Sequence, residues 1–443
     1  MEIKRNVIQQ LIGWKANPGR KPLILQGARQ VGKTWLLKRF GRDYFNSVAY
    51  FNFDQQPELK QFFATTKDPE RILQNLSLVH GKAILPHTTL IIFDEIQECN
   101  DALNALKYFH EDAPEYAIVC AGSLLGVAMS RGASFPVGKV DFIQIHPVTF
   151  AEFLAMADGS LSGFLDSIDK IEAIPDIFFN QLIEKLKMYY ISGGMPESVV
   201  AMLENRDIEL MQKVLQNILN AYSLDFSKHV ENKDVFKIQH IWSSLPSQLA
   251  RENKKFLFQS IRTGARAREY EDALMWLVNA GLVYRVNCSL KPFLPLSAYD
   301  DPSAFKIYLN DVGLLRRLSL LDPIAISEGN RLLTEFKGAL TENFILESLV
   351  QQFEGLPRYW KSENKAEVDF VVQYENLIIP IEVKSDENVK SKSLTFYRKA
   401  FNPGISIRYS LRNLNHEEGL INIPLFMVDH TVKILNLSLA SSG

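Results

Sequence analysis

One stretch constrains this chain more than any other: Gly27-Ala28-Arg29-Gln30-Val31-Gly32-Lys33-Thr34. It fits the pattern GxxxxGK(S/T). It stands between a short, wholly apolar run, Leu23 to Gly27, and a stretch of helical spacing, Thr34–Phe40. An apolar run with no polar face is what a parallel strand buried on both sides requires. A glycine-rich loop between such a strand and a helix turns backbone N–H groups toward a phosphate chain, and the helix N-terminus adds a favourable dipole. Lys33 is then the residue that reaches the β- and γ-phosphates, and the Thr34 hydroxyl is a magnesium ligand. A chance glycine-rich turn also satisfies the bare pattern, but the strand–loop–helix context argues against it.

The same strand pattern recurs in Val48–Asp54, Thr89–Glu95, Tyr116–Ser123 and Lys139–Pro147, with helical stretches such as Ala102–His110 between. Strands alternating with helices indicate an α/β layer with a parallel sheet. The third run, Leu90-Ile91-Ile92-Phe93-Asp94-Glu95, is four apolar residues ending in two acids. A buried strand delivers Asp94 to its C-terminal end, where α/β sheets place ligands. Asp94 suits the water shell of a phosphate-bound Mg²⁺, and Glu95 suits a general base that polarises an attacking water. Two acids opening a solvated loop are the alternative, and the glycine-rich loop weighs against it.

Composition narrows the class. The 443 residues are 47% hydrophobic and 23% charged, with a formal net charge of -2, which excludes disordered, collagenous and uniformly basic nucleic-acid-coating chains. The length suits about two to four domains. Cys99, Cys120 and Cys288 are odd in number and widely spaced, which argues against a disulfide framework or a zinc site and fits a reducing compartment. The first residues lack a signal-peptide core, and no apolar run approaches the roughly 18 residues of a membrane span. The expectation is a cytoplasmic protein with no membrane partner.

From Phe150 to about Lys228 the strand signal vanishes and helical spacing takes over, broken at Gly193-Gly194-Met195-Pro196. Residues 236–290 read as three helices and a hairpin, the order of a winged helix. The third helix is expected to carry Arg262, Arg266 and Arg268. Between Lys237 and Lys291 nine basic and four acidic residues leave a local charge of +5. That favours phosphate or base contacts with DNA or RNA, against the alternatives of a solvated face or a protein-docking module. The last part, about 300–443, is α/β again, with a long helix at Glu335–Phe353 and strands at Glu367–Tyr374 and Leu377–Ser385. Glu342 lies in that helix, Asp369 in the first strand, and Glu382 and Lys384 two apart on one face of the second. Charges in apolar strands are costly unless they act together; an ordinary ion pair is the plainer use of Glu382 and Lys384.

The glycine-rich loop and Leu90–Glu95 together resemble the Walker A and Walker B motifs of AAA+ ATPases. The resemblance implies that Ser123, after the strand ending in Ala121-Gly122, is a sensor residue near the γ-phosphate; capping a following helix is its other use. It also implies an arginine supplied by a neighbouring subunit, for which Arg131 and Lys139 are the nearest candidates, Lys139 offering poorer bidentate contact. More finely, GARQVGKT, LIIFDEIQ, AGSLLGV, HPVTFAEFL, GGMPESV, YSLDFSKH, LNDVGLL, FKGALTENFILESL, VDFVV and IEVKS resemble, in order from Gly27 to Ser385, bacterial and archaeal AAA-family ATPases with a C-terminal domain of unknown function. The acidic set resembles the PD-(D/E)XK core of restriction-endonuclease-like folds, where carboxylates bind Mg²⁺ and the lysine activates water.

The expected fold is therefore an AAA+-like P-loop domain over 1–155, a helical lid over 156–231, a winged helix over 232–299 and a nuclease-like α/β domain over 300–443. ATP and Mg²⁺ are the expected ligands, held by Gly27, Ala28, Arg29, Gln30, Val31, Gly32, Lys33, Thr34 and Asp94, with Lys33, Glu95 and Ser123 catalytic. Glu342, Asp369, Glu382 and Lys384 form a possible nuclease set, with Asp369 and Glu382 as its metal ligands. The expected activity is ATP hydrolysis that moves the C-terminal modules. ATP-gated cleavage of nucleic acid and a non-enzymatic switch for a protein partner are the alternatives, and an oligomer is compatible with each.

Overall fold

A computed structural model of the chain describes residues 3–123, 126–127, 136–229, 232–251, 254–262, 264–327, 334–362, 366–386 and 391–441. They pack as two units: Arg5–His146 with Asn279–Leu282, and the rest of the described chain.

The first unit is built on a five-stranded sheet. Its strands are β1 (Leu23–Gln26), β2 (Ser47–Asn52), β3 (Thr89–Asp94), β4 (Ala117–Ala121) and β5 (Asp141–Gln144). Their order is β2-β3-β4-β1-β5, and every pairing is parallel. All six residues of β3 are buried, which is why its sequence from Leu90 to Phe93 is wholly apolar before the terminal acid. β4 runs between β1 and β3, so the chain leaving β4 stands between the glycine-rich loop and Asp94. On one face, Phe51, Phe53, Phe63 and Phe93 meet at centroid separations of 5.5–6.2 Å. Each buried phenyl contributes roughly 1.5–3 kcal/mol, so this packing fixes the strand ends that carry the polar residues. Helix α1 (Lys33–Tyr44) starts directly after Gly32, whose φ of 89° is left-handed; glycine there gives no side-chain cap to the first turn.

The second unit begins with helices. Among the described residues from 150 to 229 there is no strand, as the sequence pattern implied. The break after helix α2 (Asp176–Ser192) is a packing junction. A Cβ on Gly193 would lie 2.3 Å from Asp311 Oδ1, and one on Gly194 would lie 2.1 Å from Val148 O. The Gly194 N–H donates to Asp311 Oδ2 at 2.5 Å, while Asp311 Oδ1 accepts from Leu314 N at 2.8 Å and caps the helix Val312–Leu318. The glycines are present because backbone crosses backbone there.

Helix α3 (Asn232–Leu249), a single 3₁₀ turn (Phe258–Ser260) and helix α4 (Ala267–Asn279) precede the hairpin β6 (Val283–Ser289) and β7 (Asp300–Leu309). The sequence expectation of three helices before the hairpin is corrected here: the middle piece is one 3₁₀ turn. Only Arg268 lies on α4, while Arg262 and Arg266 precede it. The sequence Thr263-Gly264 interrupts the helical spacing, and Gly264 takes a φ of +83°. All three arginines are exposed.

The hairpin is also part of a larger sheet. With β8 (Arg358–Lys361), β9 (Glu367–Tyr374), β10 (Leu377–Val383), β11 (Ser406–Ser410), β12 (Asn415–Glu417) and β13 (Leu420–Pro424) it forms eight strands in the order β12-β13-β11-β10-β9-β8-β6-β7. Helix α5 (Thr334–Gln352) precedes β8, and α6 (Lys392–Phe401) joins β10 to its parallel neighbour β11. β9 and β10 are an antiparallel hairpin in the register Ile381↔Phe370, which brings Glu382 across from Asp369. Among the described residues no helix is long and apolar enough to cross a membrane.

Candidate nucleotide site and C-terminal charged cluster

The loop from Gly27 to Gly32 is held from two sides. A Cβ on Gly27 would sit 2.2 Å from Ile145 O, so only glycine lets β1 end there. Arg5 donates to Val31 O at 3.1 Å and to His146 O at 2.6 Å, bracing the loop against the end of β5. Gln30 takes a left-handed φ of 66°. The buried Lys33 ammonium turns into its own loop, donating to Gly27 O at 2.8 Å and Ala28 O at 2.7 Å. Burial lowers its pKa to about 8; Glu95 and Asp94 pull the other way, and Arg29 adds to the lowering. A desolvated cation whose hydrogen-bond partners among the described residues are neutral carbonyls is a strong attractor for an anion.

Asp94 ends β3 beside it. Thr34 Oγ1 donates to Asp94 Oδ2 at 2.9 Å, and the Tyr50 hydroxyl donates to the same oxygen at 2.7 Å. Asn52 in turn donates to the Tyr50 oxygen at 3.3 Å. Burial, then the hydrogen bond and charge of Asp94, push the Tyr50 hydroxyl up to about 12 against the opposing effect of Asn52. Thr34 and Asp94 therefore bring two hard oxygens together, and among the described residues neither is tied to a lysine or arginine. That donor set fits Mg²⁺.

Glu95 is in the left-handed region, φ 50° and ψ 44°, which turns its side chain off the strand line. It accepts from Gln97 Nε2 at 2.6 Å and lies 3.4 Å from Ser123 Oγ. Lys33, Thr34, Asp94, Glu95 and Ser123 thus come together from the start of α1 and from the ends of β3 and β4. Lys139 pairs with Glu111 at 2.8 Å on the surface, and Arg131 lies outside the described residues. The residues that would form a helix after Ser123 lie partly outside them too. Sequence reasoning missed Arg5, Tyr50, Asn52 and Gln97. The 50/52 alternation in β2 is the one signal that marked two of them.

In the second unit the four acidic-site residues are also brought together. Val383 N donates to Asp369 Oδ2 at 2.8 Å, and Lys384, one residue past the end of β10, pairs with Glu382 at 2.7 Å. Tyr308 donates to Glu342 at 3.1 Å. Two lysines that the sequence did not point to join them: Lys254 pairs with Glu342, and the buried Lys306 pairs with Glu367 at 2.6 Å. Burial raises Glu342, but Lys254 and Lys306 outweigh it and leave its pKa below the ordinary value. Asp369 stands well above the usual carboxylate range, through burial first and then Glu342 and Glu382.

This donor set does not fit a resident divalent ion. Cations already occupy Glu342 and Glu382, and among the described residues no group of three His, Cys, Asp or Glu side chains is placed to hold a metal. Lys306 carried the same signal as Lys384, a charge inside an apolar strand.

A family model described as an AAA domain matches residues 19–154. Two models of domains of unknown function, DUF8612 and DUF4143, match residues 183–325 and 337–427. No curated protein matches. Among solved structures, a Walker-type ATPase of Pyrococcus abyssi is 15% identical over 72% of this chain and 96% of its own, with a TM-score of 0.42. A signal transduction ATPase with a tetratricopeptide repeat sensor from Pyrococcus horikoshii is 10% identical over 80% and 46%, TM-score 0.27. A Holliday junction branch migration motor, RuvB of Thermotoga maritima, is 12% identical over 64% and 90%, TM-score 0.29. The parallel sheet, the glycine-rich loop and the family match define the first unit as an AAA-type P-loop domain, of the ATP-binding class.

Proposed function

We propose that the chain is a Mg²⁺-dependent ATPase. The observation that carries this reading is that Lys33 and Thr34, which open α1, meet Asp94 and Glu95 at the end of β3. The amides of residues 27–34 and the Lys33 ammonium bind the phosphate chain, with the ammonium exchanging carbonyl partners for phosphate oxygens. Thr34 and Asp94 would hold Mg²⁺, which when bound neutralises phosphate charge. Glu95 orients and polarises the attacking water, and Ser123 stands within reach of Glu95 as the sensor side chain. Turnover drives the C-terminal modules, in the reducing cytoplasm where Cys99, Cys120 and Cys288 stay free.

The test is ATP turnover by wild type and Glu95→Gln, with and without DNA and RNA. Glu95→Gln should bind ATP and hydrolyse it about 100-fold or more slowly; undiminished turnover removes Glu95 from the mechanism. Stimulation by DNA or RNA supports partner contacts through Arg262, Arg266 and Arg268, and its absence favours a switch that docks a protein. The gathered Glu342, Asp369, Glu382 and Lys384 support a second reading, an ATP-gated hydrolytic centre acting on nucleic acid. Their lysine partners Lys254 and Lys384 occupy Glu342 and Glu382.

A further inference from the structure

The buried Asp94 carboxylate accepts from three places. Thr34 Oγ1 donates to its Oδ2 at 2.9 Å, and Glu95 N donates to its Oδ1 at 3.1 Å. The third donor comes from β2, the edge strand beside β3 and on the side away from the glycine-rich loop. Tyr50 Oη gives its proton to the same Oδ2 at 2.7 Å. β2 and β3 are parallel, with Tyr50 across from Ile92 and Asn52 across from Asp94, so Tyr50, Asn52 and Asp94 share one face of the sheet.

The direction of each proton is set. Asn52 Oδ1 accepts from Asp54 N at 3.0 Å and from Gln55 N at 2.9 Å, which turns the amide nitrogen to Tyr50 Oη, 3.3 Å away. A phenol has one proton to give, and with Asn52 donating to its oxygen that proton goes to Asp94. Thr34 likewise gives its one proton to Asp94 and keeps its lone pairs, which are what a hard cation takes. These donors are all neutral, so they hold the carboxylate in place without cancelling its charge. The Lys38 ammonium stands 3.8 Å from the centroid of the Tyr50 ring, a contact that uses the ring and not the hydroxyl.

We propose that Tyr50 is a positioning residue for the nucleotide-bound metal: its hydroxyl, oriented by Asn52, fixes the Asp94 carboxylate and through it the Thr34 hydroxyl in the arrangement that receives Mg²⁺. The inference rests on the reading of Thr34 and Asp94 as the Mg²⁺ donors of an ATPase. Partners of this outer kind orient the groups that meet a metal, and their loss costs roughly 10–100-fold in metal affinity. Without the Tyr50 hydroxyl, Asp94 keeps Thr34 and its neighbouring amide but loses its tie to β2.

The experiment is Mn²⁺ titration of the full-length protein, held in excess over a non-hydrolysable ATP analogue, with free Mn²⁺ counted by electron paramagnetic resonance. The variants are Tyr50→Phe, which keeps the ring and its contact with Lys38, Asp94→Asn, and the two together. Melting curves without ligand show that the variants are folded. Tyr50→Phe should bind Mn²⁺ about ten-fold or more weakly than wild type. It should add nothing on the Asp94→Asn background, because a residue that acts through Asp94 has no further effect once that carboxylate is gone. Affinity in Tyr50→Phe equal to or tighter than wild type, with Asp94→Asn weakened, overturns the positioning role and leaves the metal site standing. An equal loss from Tyr50→Phe on both backgrounds also overturns it, since Tyr50 then acts by another route. Asp94→Asn binding Mn²⁺ as tightly as wild type overturns the reading of the metal site and the proposal with it.

Discussion

Replacing Lys33 by Met should stabilise the nucleotide-free protein while destroying its nucleotide site. The Lys33 pKa falls from 10.5 to about 8 in the folded chain, by burial above all. At 1.36 kcal/mol per pKa unit this is about 3 kcal/mol against the charged form. The sign follows from proton counting. Below about pH 8 folded and unfolded chains both hold the proton, so the whole penalty is present. Between about pH 8 and 10.5 the folded chain has released it while the unfolded chain has not, so wild-type stability rises with pH. Methionine removes the penalty but leaves Gly27 O and Ala28 O without their donor, at about 1 kcal/mol each. The net gain is about 1 kcal/mol at pH 7, which for a unit of this size raises Tm by roughly 2–4 °C. Scanning fluorimetry at pH 7 and pH 9.5, with and without ATP and Mg²⁺, checks it. The variant should melt higher at pH 7, lose that advantage at pH 9.5, and show no rise with ATP. A variant that melts lower at pH 7, or whose advantage widens with pH, refutes the electrostatic argument; an undiminished rise with ATP refutes the site.

Gly194→Ala forces a Cβ to 2.1 Å from a backbone oxygen. It should cost about 4 kcal/mol or more, seen as loss of soluble yield or a collapsed melting transition. At the same junction, burial raises the Asp311 pKa to about 6. The folded chain therefore holds a proton there between about pH 4 and 6 that the unfolded chain has lost, and Asp311's contribution to stability falls as pH rises through that window. Asp311→Asn should flatten the fall in Tm between pH 4 and 6; an unchanged slope assigns it to another group.

The first unit was legible because its chemistry is local. The glycine-rich loop and the acids closing β3 lie within runs of eight and six residues, and their burial follows from unbroken apolar stretches. Arg5 was not legible, since it reaches the site only through tertiary packing, by donating to His146 O. In the second unit the strands β9 and β10 could be read from their apolar runs, and the four site residues from the order in which they resemble a known core. The placement of the hairpin in the eight-stranded sheet could not, because the pairing of β6 with β8 joins Cys288 to Tyr359 across an unrelated stretch of chain. Lys254 was invisible for the same reason: in sequence it is one of nine basic residues, and only the fold sets it against Glu342.

The partners of the buried lysines separate the two charged places more sharply than their burial does. Among the described residues Lys33 donates to carbonyl oxygens and to no carboxylate, so an arriving phosphate meets an ammonium that is not tied up in an ion pair. Lys254, Lys306 and Lys384 are each paired with a carboxylate, so an anion meeting them must first break an ion pair in a desolvated setting. Equal counts of lysine would therefore give opposite ligand preferences: the loop of the first unit is built for anions. This distinction lies in who accepts each lysine's proton, which is a property of the folded chain and of no single motif.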